Sequence, residues 1–341
     1  MDPHPRPRRA PPGPARPLQA LSDHLLPVLL TTALRGAGFG IITVCGSTAA
    51  AALAPRGRQG AAIGLYGLAV ALPQVILTPA APWLVGTFAL PAIIACGVLP
   101  VLALPWTRPL GHAVEARTHS PSLQDGHVRS PDSTATVLRR ILLPLTVLLL
   151  VTASGGAVLT FAPQFTATPA LAATCLLALT TTAAAGRWGC GALADRIALR
   201  PITAVLVATA SAGLALIALA VGSDSHTVLA LSAGLLLLGA AYGGLQSLTL
   251  VQAFDRAGAE NRHTTSVAWN IGYDAGTGLG SLTLGLAAQV ATFSAGFATM
   301  SALMAAALLA VLLNGARPTA APSADSRPPA RSGTHRSRIR P

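Results

Sequence analysis

The chain has 341 residues, 52% hydrophobic and only 10% charged, with a mean hydropathy of +0.59. Soluble domains carry roughly a quarter charged residues, so this composition excludes an ordinary soluble enzyme and describes a polytopic membrane protein. The net charge of +12 does not point to nucleic acid, because the basic residues are all Arg, gather in the tails and between apolar runs, and meet only 4% aromatics.

Residues 1–22 are Pro- and Arg-rich and lack the apolar core of a signal peptide, which predicts a disordered basic tail. Nine apolar stretches follow, at about 24–54, 61–86, 88–106, 139–161, 168–190, 201–222, 226–253, 264–291 and 294–314. Each approaches or exceeds the roughly 20 residues that a helix needs to cross a hydrocarbon core. The expected fold is an all-α membrane protein with nine transmembrane helices. A polar segment, 108–138, is expected to be an unpacked linker between three helices (23–107) and a bundle of six (139–316). A basic tail, 317–341, closes the chain. Cys45, Cys96, Cys175 and Cys190 have no metal-ligand or CxxC spacing and are expected to be small hydrophobes.

Arginine sorts the loops into two sets. Arg56, Arg58, Arg108, Arg117, Arg129, Arg139, Arg140, Arg196, Arg200, Arg256, Arg262 and the C-terminal tail fall on one side, whereas Ala162–Pro169, Gly222–His226 and Val290–Phe293 carry none. Cationic loops stay inside, so the C-terminus is expected in the cytoplasm of a cell with this protein in its inner or plasma membrane. An odd number of helices then places Arg6, Arg8, Arg9 and Arg16 outside, against the rule. The conflict raises the expectation of helices missing upstream.

The turn Gly186-Arg187-Trp188-Gly189-Cys190-Gly191-Ala192-Leu193-Ala194-Asp195-Arg196-Ile197-Ala198-Leu199-Arg200 lies between two long apolar runs. Its spacing, Gly191-x-Leu193-Ala194-Asp195-Arg196-x-x-x-Arg200, resembles the loop of the Major Facilitator Superfamily that joins the second and third helices of each six-helix half. Leu34–Gly40 (LRGAGFG) also lines up with Leu237–Gly243 (LLGAAYG), and Ile63-Gly64 with Ile271-Gly272. The nine stretches are then three triplets, the repeat unit of that fold, equivalent to helices 4–12 of its twelve. On this resemblance the first helix, with Arg35, is similar to the family's fourth, and the family's first three helices have no counterpart. A late start or a non-transporting remnant are the two accounts of that gap.

The residues that could act follow from depth. Asp274 lies about ten residues into its stretch, roughly 15 Å from the end at 1.5 Å per residue. An anion there is costly, protonation removes the cost, and such acids usually face a cavity. Asn270 and Thr277 share its face. Asp274 is therefore expected to face the interior and to couple protons, with a packing role satisfied by Asn270 as the alternative. Glu115, Asp132, Asp255 and Glu260 are expected in loops. Arg35 is the second deep charge and a candidate counter-ion, which the resemblance links to coupling. Tyr242, Gln246, Trp269, Asn270 and Tyr273 suit the wall of a solute cavity. Gly191, Asp195, Arg196 and Arg200 suit a conformational latch, with Asp195 at the start of the second helix near Gly60–Ala62 or beside Arg256; a solvated charge pair is the alternative. Gly36, Gly38, Gly40, Gly243, Gly244, Gly272, Gly276, Gly278 and Gly280 are expected to let helices approach. Arg187 and Trp188 are expected to be interfacial anchors.

No nucleophile–His–acid set, HExxH or P-loop occurs, and the glycines of 272–280 lie in an apolar stretch, so neither enzyme chemistry, a metal nor a cofactor is expected. The resemblance implies a secondary transporter, a monomer in the lipid bilayer, exporting a small organic solute against protons. The rivals are a membrane remnant and a membrane-embedded enzyme.

Overall fold

A computed structural model describes residues 25–55, 57–88, 96–118, 132–223 and 228–314. The expected tails, 1–22 and 317–341, lie outside the described residues, as do 119–131 of the expected linker.

Every regular element among the described residues is helical. The α-helices are α1 (Leu25–Leu53), α2 (Gln59–Thr87), α3 (Leu104–Thr118), α4 (Thr134–Phe165), α5 (Pro169–Ala194), α6 (Leu199–Gly222), α7 (Val228–Ala257), α8 (Arg262–Val290) and α9 (Phe293–Asn314). Seven of the nine are long and apolar enough to cross a membrane. The two that fall short are α3, which carries Arg108, His112, Glu115 and Arg117, and α8, which carries His263, Asn270 and Asp274.

Local chemistry sets the starts. Thr168 caps α5, its hydroxyl accepting from Leu171 N at 3.2 Å, and Pro169 occupies the first turn, where no amide donor is needed. Ser133 caps α4 in the same way, so α4 begins five residues before the apolar stretch at 139. Its approach is fixed by Asn261, which is buried and donates to Asp132 Oδ2 at 2.9 Å while accepting from Asp132 N at 3.0 Å.

Three expectations change here. The stretch 88–106 is not one span: a 3₁₀ segment, Cys96–Ala103, containing Pro100, leads into α3, where Pro105 sits in the first turn and Pro109 interrupts the donor ladder. The segment 108–138 is not wholly a loop, since α3 runs to Thr118 and α4 starts at Thr134. Glu115 and Asp255 lie on helices, within α3 and in the last turn of α7.

Helices α4–α9 close around one apolar core. It runs from Val147 and Val151 on α4 through Leu179 on α5, Leu214 and Ile217 on α6 and Leu235 and Leu238 on α7 to Phe297 and Met304 on α9. Small residues allow the approach: a side chain at Gly276 or Gly280 of α8 would run into Thr152 and Ala153 of α4. The first three helices share no such core among the described residues. Instead α2 packs along α5, while α1 touches α2 and α8.

The chain reverses at the Arg-bearing turns, so α1, α5 and α7 end, and α2, α6 and α8 begin, at one arginine-rich end. At this end Ala51 and Ile63 join Leu148, Leu250, Phe254 and Trp269 in a second apolar cluster that ties α1 and α2 to the six-helix bundle.

Candidate functional site

Asp195 follows the last residue of α5, beside the start of α2. Arg58, the residue before α2, makes no side-chain cap. The first amides of α2 are therefore open, and Asp195 fills the place from another helix: Gly60 N donates to Oδ1 at 2.7 Å and Ala61 N to Oδ2 at 2.8 Å. These are the amides that a capping side chain serves, and the positive end of the helix dipole favours the anion. Contact with Arg256, the other neighbour considered for Asp195, is not what carries this junction.

Below the carboxylate the two backbones nearly touch. A side chain at Gly60 would meet Gly191 O and Ala194, one at Gly64 would meet Arg187 O and the Gly191 backbone, and one at Gly191 would collide with Gly64. Gly191 and Asp195 thus act at one junction. Arg196 is exposed and has no side-chain partner there. Arg200 does something different: its guanidinium donates to Val311 O and Leu312 O, satisfying the last carbonyls of α9.

Toward the other end α2 draws away from the bundle. A cleft of about 660 Å³ opens there, lined by Pro73, Gln74, Leu77 and Thr78 of α2, Leu159 of α4 and Leu176 of α5. Gln74 and Leu159 also line a small cavity beneath it, with space for about one water, walled by Thr180, Ala183, Arg187 and Tyr242.

The expected cavity residues gather between α7 and α8. The Tyr242 and Tyr273 hydroxyls are 3.2 Å apart. Trp269 stacks on Tyr273 with ring centroids 5.7 Å apart, and its Nε1 donates to Thr249 Oγ1 at 3.1 Å. Asn270 is buried and donates to Ser266 O. Gln246 is buried, and neither atom of its amide has a partner.

Arg187 is not the interfacial anchor expected of it. It is 6% exposed, with Nη1 3.5 Å from Gly67 O and Nε without a partner. Its backbone carbonyl accepts from Ser247 Oγ at 3.0 Å. A depth argument applied to it would have found this: Arg187 lies eight residues before Asp195, about 12 Å inside the helix end.

The two deep charges sit elsewhere. Asp274 is exposed on the face of α8 that carries exposed Ile271 and Leu282, turned away from the described bundle rather than into it. Asn270 and Thr277 bond to backbone carbonyls instead of to its carboxylate, because i−4 and i−3 carbonyls lie closer to a short polar side chain than a neighbour one turn away. Arg35 is exposed on α1. Helices α1 and α8 run antiparallel and meet at Ser47 and Ser266, whose hydroxyls are 2.6 Å apart. From that bond, Arg35 and Asp274 lie twelve and eight residues away, both in the direction of the open end. At 1.5 Å per residue their depths are about 18 and 12 Å.

The sequence model of the Major Facilitator Superfamily matches residues 17–281. No curated protein matches the chain.

Proposed function

We propose, for a chain that belongs to the Major Facilitator Superfamily, that this multi-pass membrane transporter exports a small organic solute in exchange for protons by alternating access. The observation that carries the reading is the asymmetry of the α2–α5 seam: Asp195 and the glycines hold it shut at the arginine-rich end, and a cleft separates the same helices at the other. An alternating-access carrier must exchange this arrangement for its reverse. Asp195 is then the latch, since its two charge-assisted bonds are made only while that end is closed and bias the equilibrium toward it. With the arginine-rich end in the cytoplasm of a plasma-membrane protein, the cleft faces outward and the C-terminus inward.

Asp274 is the proton-coupling residue of this reading. It lies on α8, whose 29 residues are long enough for a bilayer, has no partner among the described residues, and stands about 6 Å along the axis from the level of a cation, Arg35, on α1. A carboxylate so placed is favoured neutral against lipid and charged beside a guanidinium or water, the difference that proton coupling requires.

The test uses the full chain in sealed vesicles containing a pH-sensitive dye, with organic anions, cations and neutral solutes supplied in turn. At least one should move protons, and Asp274→Asn should abolish this while the protein still elutes as a folded species. Solute-driven proton movement with an unchanged pH dependence in Asp274→Asn would remove Asp274 from the mechanism. No response to any solute would remove the coupling itself.

A further inference from the structure

We propose that Arg187 is the anion-binding subsite of the solute pathway, receiving the carboxylate of an organic anion whose apolar part rests in the cleft above. The inference rests on the transport reading and names the solute class that it leaves open.

The argument begins with a cost. A guanidinium cannot give up its proton, so burial cannot be relieved by neutralisation as it can for lysine. Buried charges are ordinarily paired, because an unpaired one loses its hydration without compensation. Arg187 is 6% exposed, and no carboxylate pairs with it among the described residues. What surrounds it is neutral: the carbonyl of Gly67 at 3.5 Å, and the phenols of Tyr66 and Tyr242 within range of its charge. One carbonyl at that distance does not satisfy five donors.

Arg187 Nε lacks a partner, and the side chain lines the small cavity beneath the cleft. Unsatisfied polar atoms are rare in folded interiors, and a guanidinium nitrogen left so beside a cavity marks a place where a guest can supply the missing bond. The cavity at Arg187 shares Gln74 and Leu159 with the open cleft, so only these two side chains need to move for the two spaces to join. The cavity as it stands has space for about one water, so a carboxylate head reaches the guanidinium only as α2 parts further from α5. A guanidinium matches a carboxylate with two parallel bonds. Pro73, Leu77, Leu159 and Leu176 then offer apolar contact to the carbon skeleton.

Position links the subsite to the moving parts. Arg187 lies two turns from the Asp195 junction on the same helix, and its carbonyl is where a side chain at Gly64 would strike. A ligand pulling on Arg187 therefore acts on the α2–α5 seam, which must part when the arginine-rich end opens.

The experiment is thermal unfolding of the purified full chain with acetate, hexanoate or benzoate, against benzamide and chloride at matched concentration. At least one carboxylate should raise the unfolding temperature in a saturable way, and benzamide and chloride should not. Arg187→Met should lose that shift, and Arg187→Lys should bind on the order of tenfold more weakly because an ammonium cannot make the paired bonds. The proposal is overturned if no carboxylate shifts the wild-type protein, if chloride or benzamide shifts it equally, or if Arg187→Met retains the shift. Failure of both Arg187 variants to fold would also overturn it, by showing that the guanidinium is a structural group. Carboxylate binding without transport in vesicles would sink the transport reading and leave the subsite standing. Transport of cations or neutral solutes undiminished in Arg187→Met would do the reverse.

Discussion

Leu34–Gly40 on α1 and Leu237–Gly243 on α7 carry nearly the same pattern of glycines around one aromatic residue, and they meet opposite surroundings. A side chain added at Gly36, Gly38 or Gly40 would meet nothing within 4 Å. One added at Gly239 would strike Thr182 and Leu179, and one at Gly243 would strike the backbone of Ala183. Phe39 is exposed, whereas Tyr242 is buried against Gly155 of α4 and bonded to Tyr273. The difference shows what glycine does in a membrane helix. Lipid tails are as apolar as leucine, so helices are held by close van der Waals contact and hydrogen bonds, for which glycine only clears the space. Whether the space is used depends on a partner helix. For α7 that partner is α5; at Gly36, Gly38 and Gly40 of α1 no described neighbour comes close enough to use the space.

The largest effect should come from filling the used space. Gly243→Leu should destabilise the protein by about 3 kcal/mol or prevent folding, since neither α5 nor α7 can yield without breaking the core around Leu179 and Leu238. Gly38→Leu should stay within about 1 kcal/mol of wild type, with improved helix propensity as its main term. Thermal unfolding of the two variants in detergent makes the comparison, and equal losses would break it.

The seam between α2 and α5 comes next. Asp195→Ala removes the only side-chain cap of α2 and should cost the closed state about 1–2 kcal/mol, a shift of roughly 5- to 30-fold in population. Spin labels at Arg58 and Ile197 would read it as a longer distance in a larger fraction of molecules. An unchanged distribution would assign the closure to the glycine contacts alone. The smallest effect should be Ser47→Ala, which removes one hydroxyl bond between α1 and α8, worth about 0.6 kcal/mol in membrane proteins. Amide exchange should quicken in the second half of α1 and not in α4–α9. Exchange that quickens in both would mean that α1 is part of the bundle's own cooperative unit.

Much of this protein was legible as depth along the chain. Apolar runs longer than a bilayer is thick, interrupted by arginine, mark the helices because a buried backbone must satisfy its own hydrogen bonds and a charge must reach water. The turn carrying Gly191 and Asp195 was legible in the same way, but that it faces the start of α2 followed only from its resemblance to the loop of the Major Facilitator Superfamily. The exceptions have local causes. Prolines divided the stretch 88–106, and a side-chain cap with an Asn261 anchor drew α4 back into the polar segment.

Direction around the helix axis was not legible. Arg35, Arg187 and Asp274 each lie well inside an apolar stretch, and linear position treats them alike. Packing separates them: Arg187 is enclosed by Gly67, Ser247 and Tyr242, whereas Arg35 and Asp274 stand on open faces. Hydropathy measures how far a residue lies from a helix end. Which side it faces is decided by the neighbours that cover it, and those neighbours, Gly67 of α2 against Arg187 of α5 above all, come from helices more than a hundred residues apart in the chain.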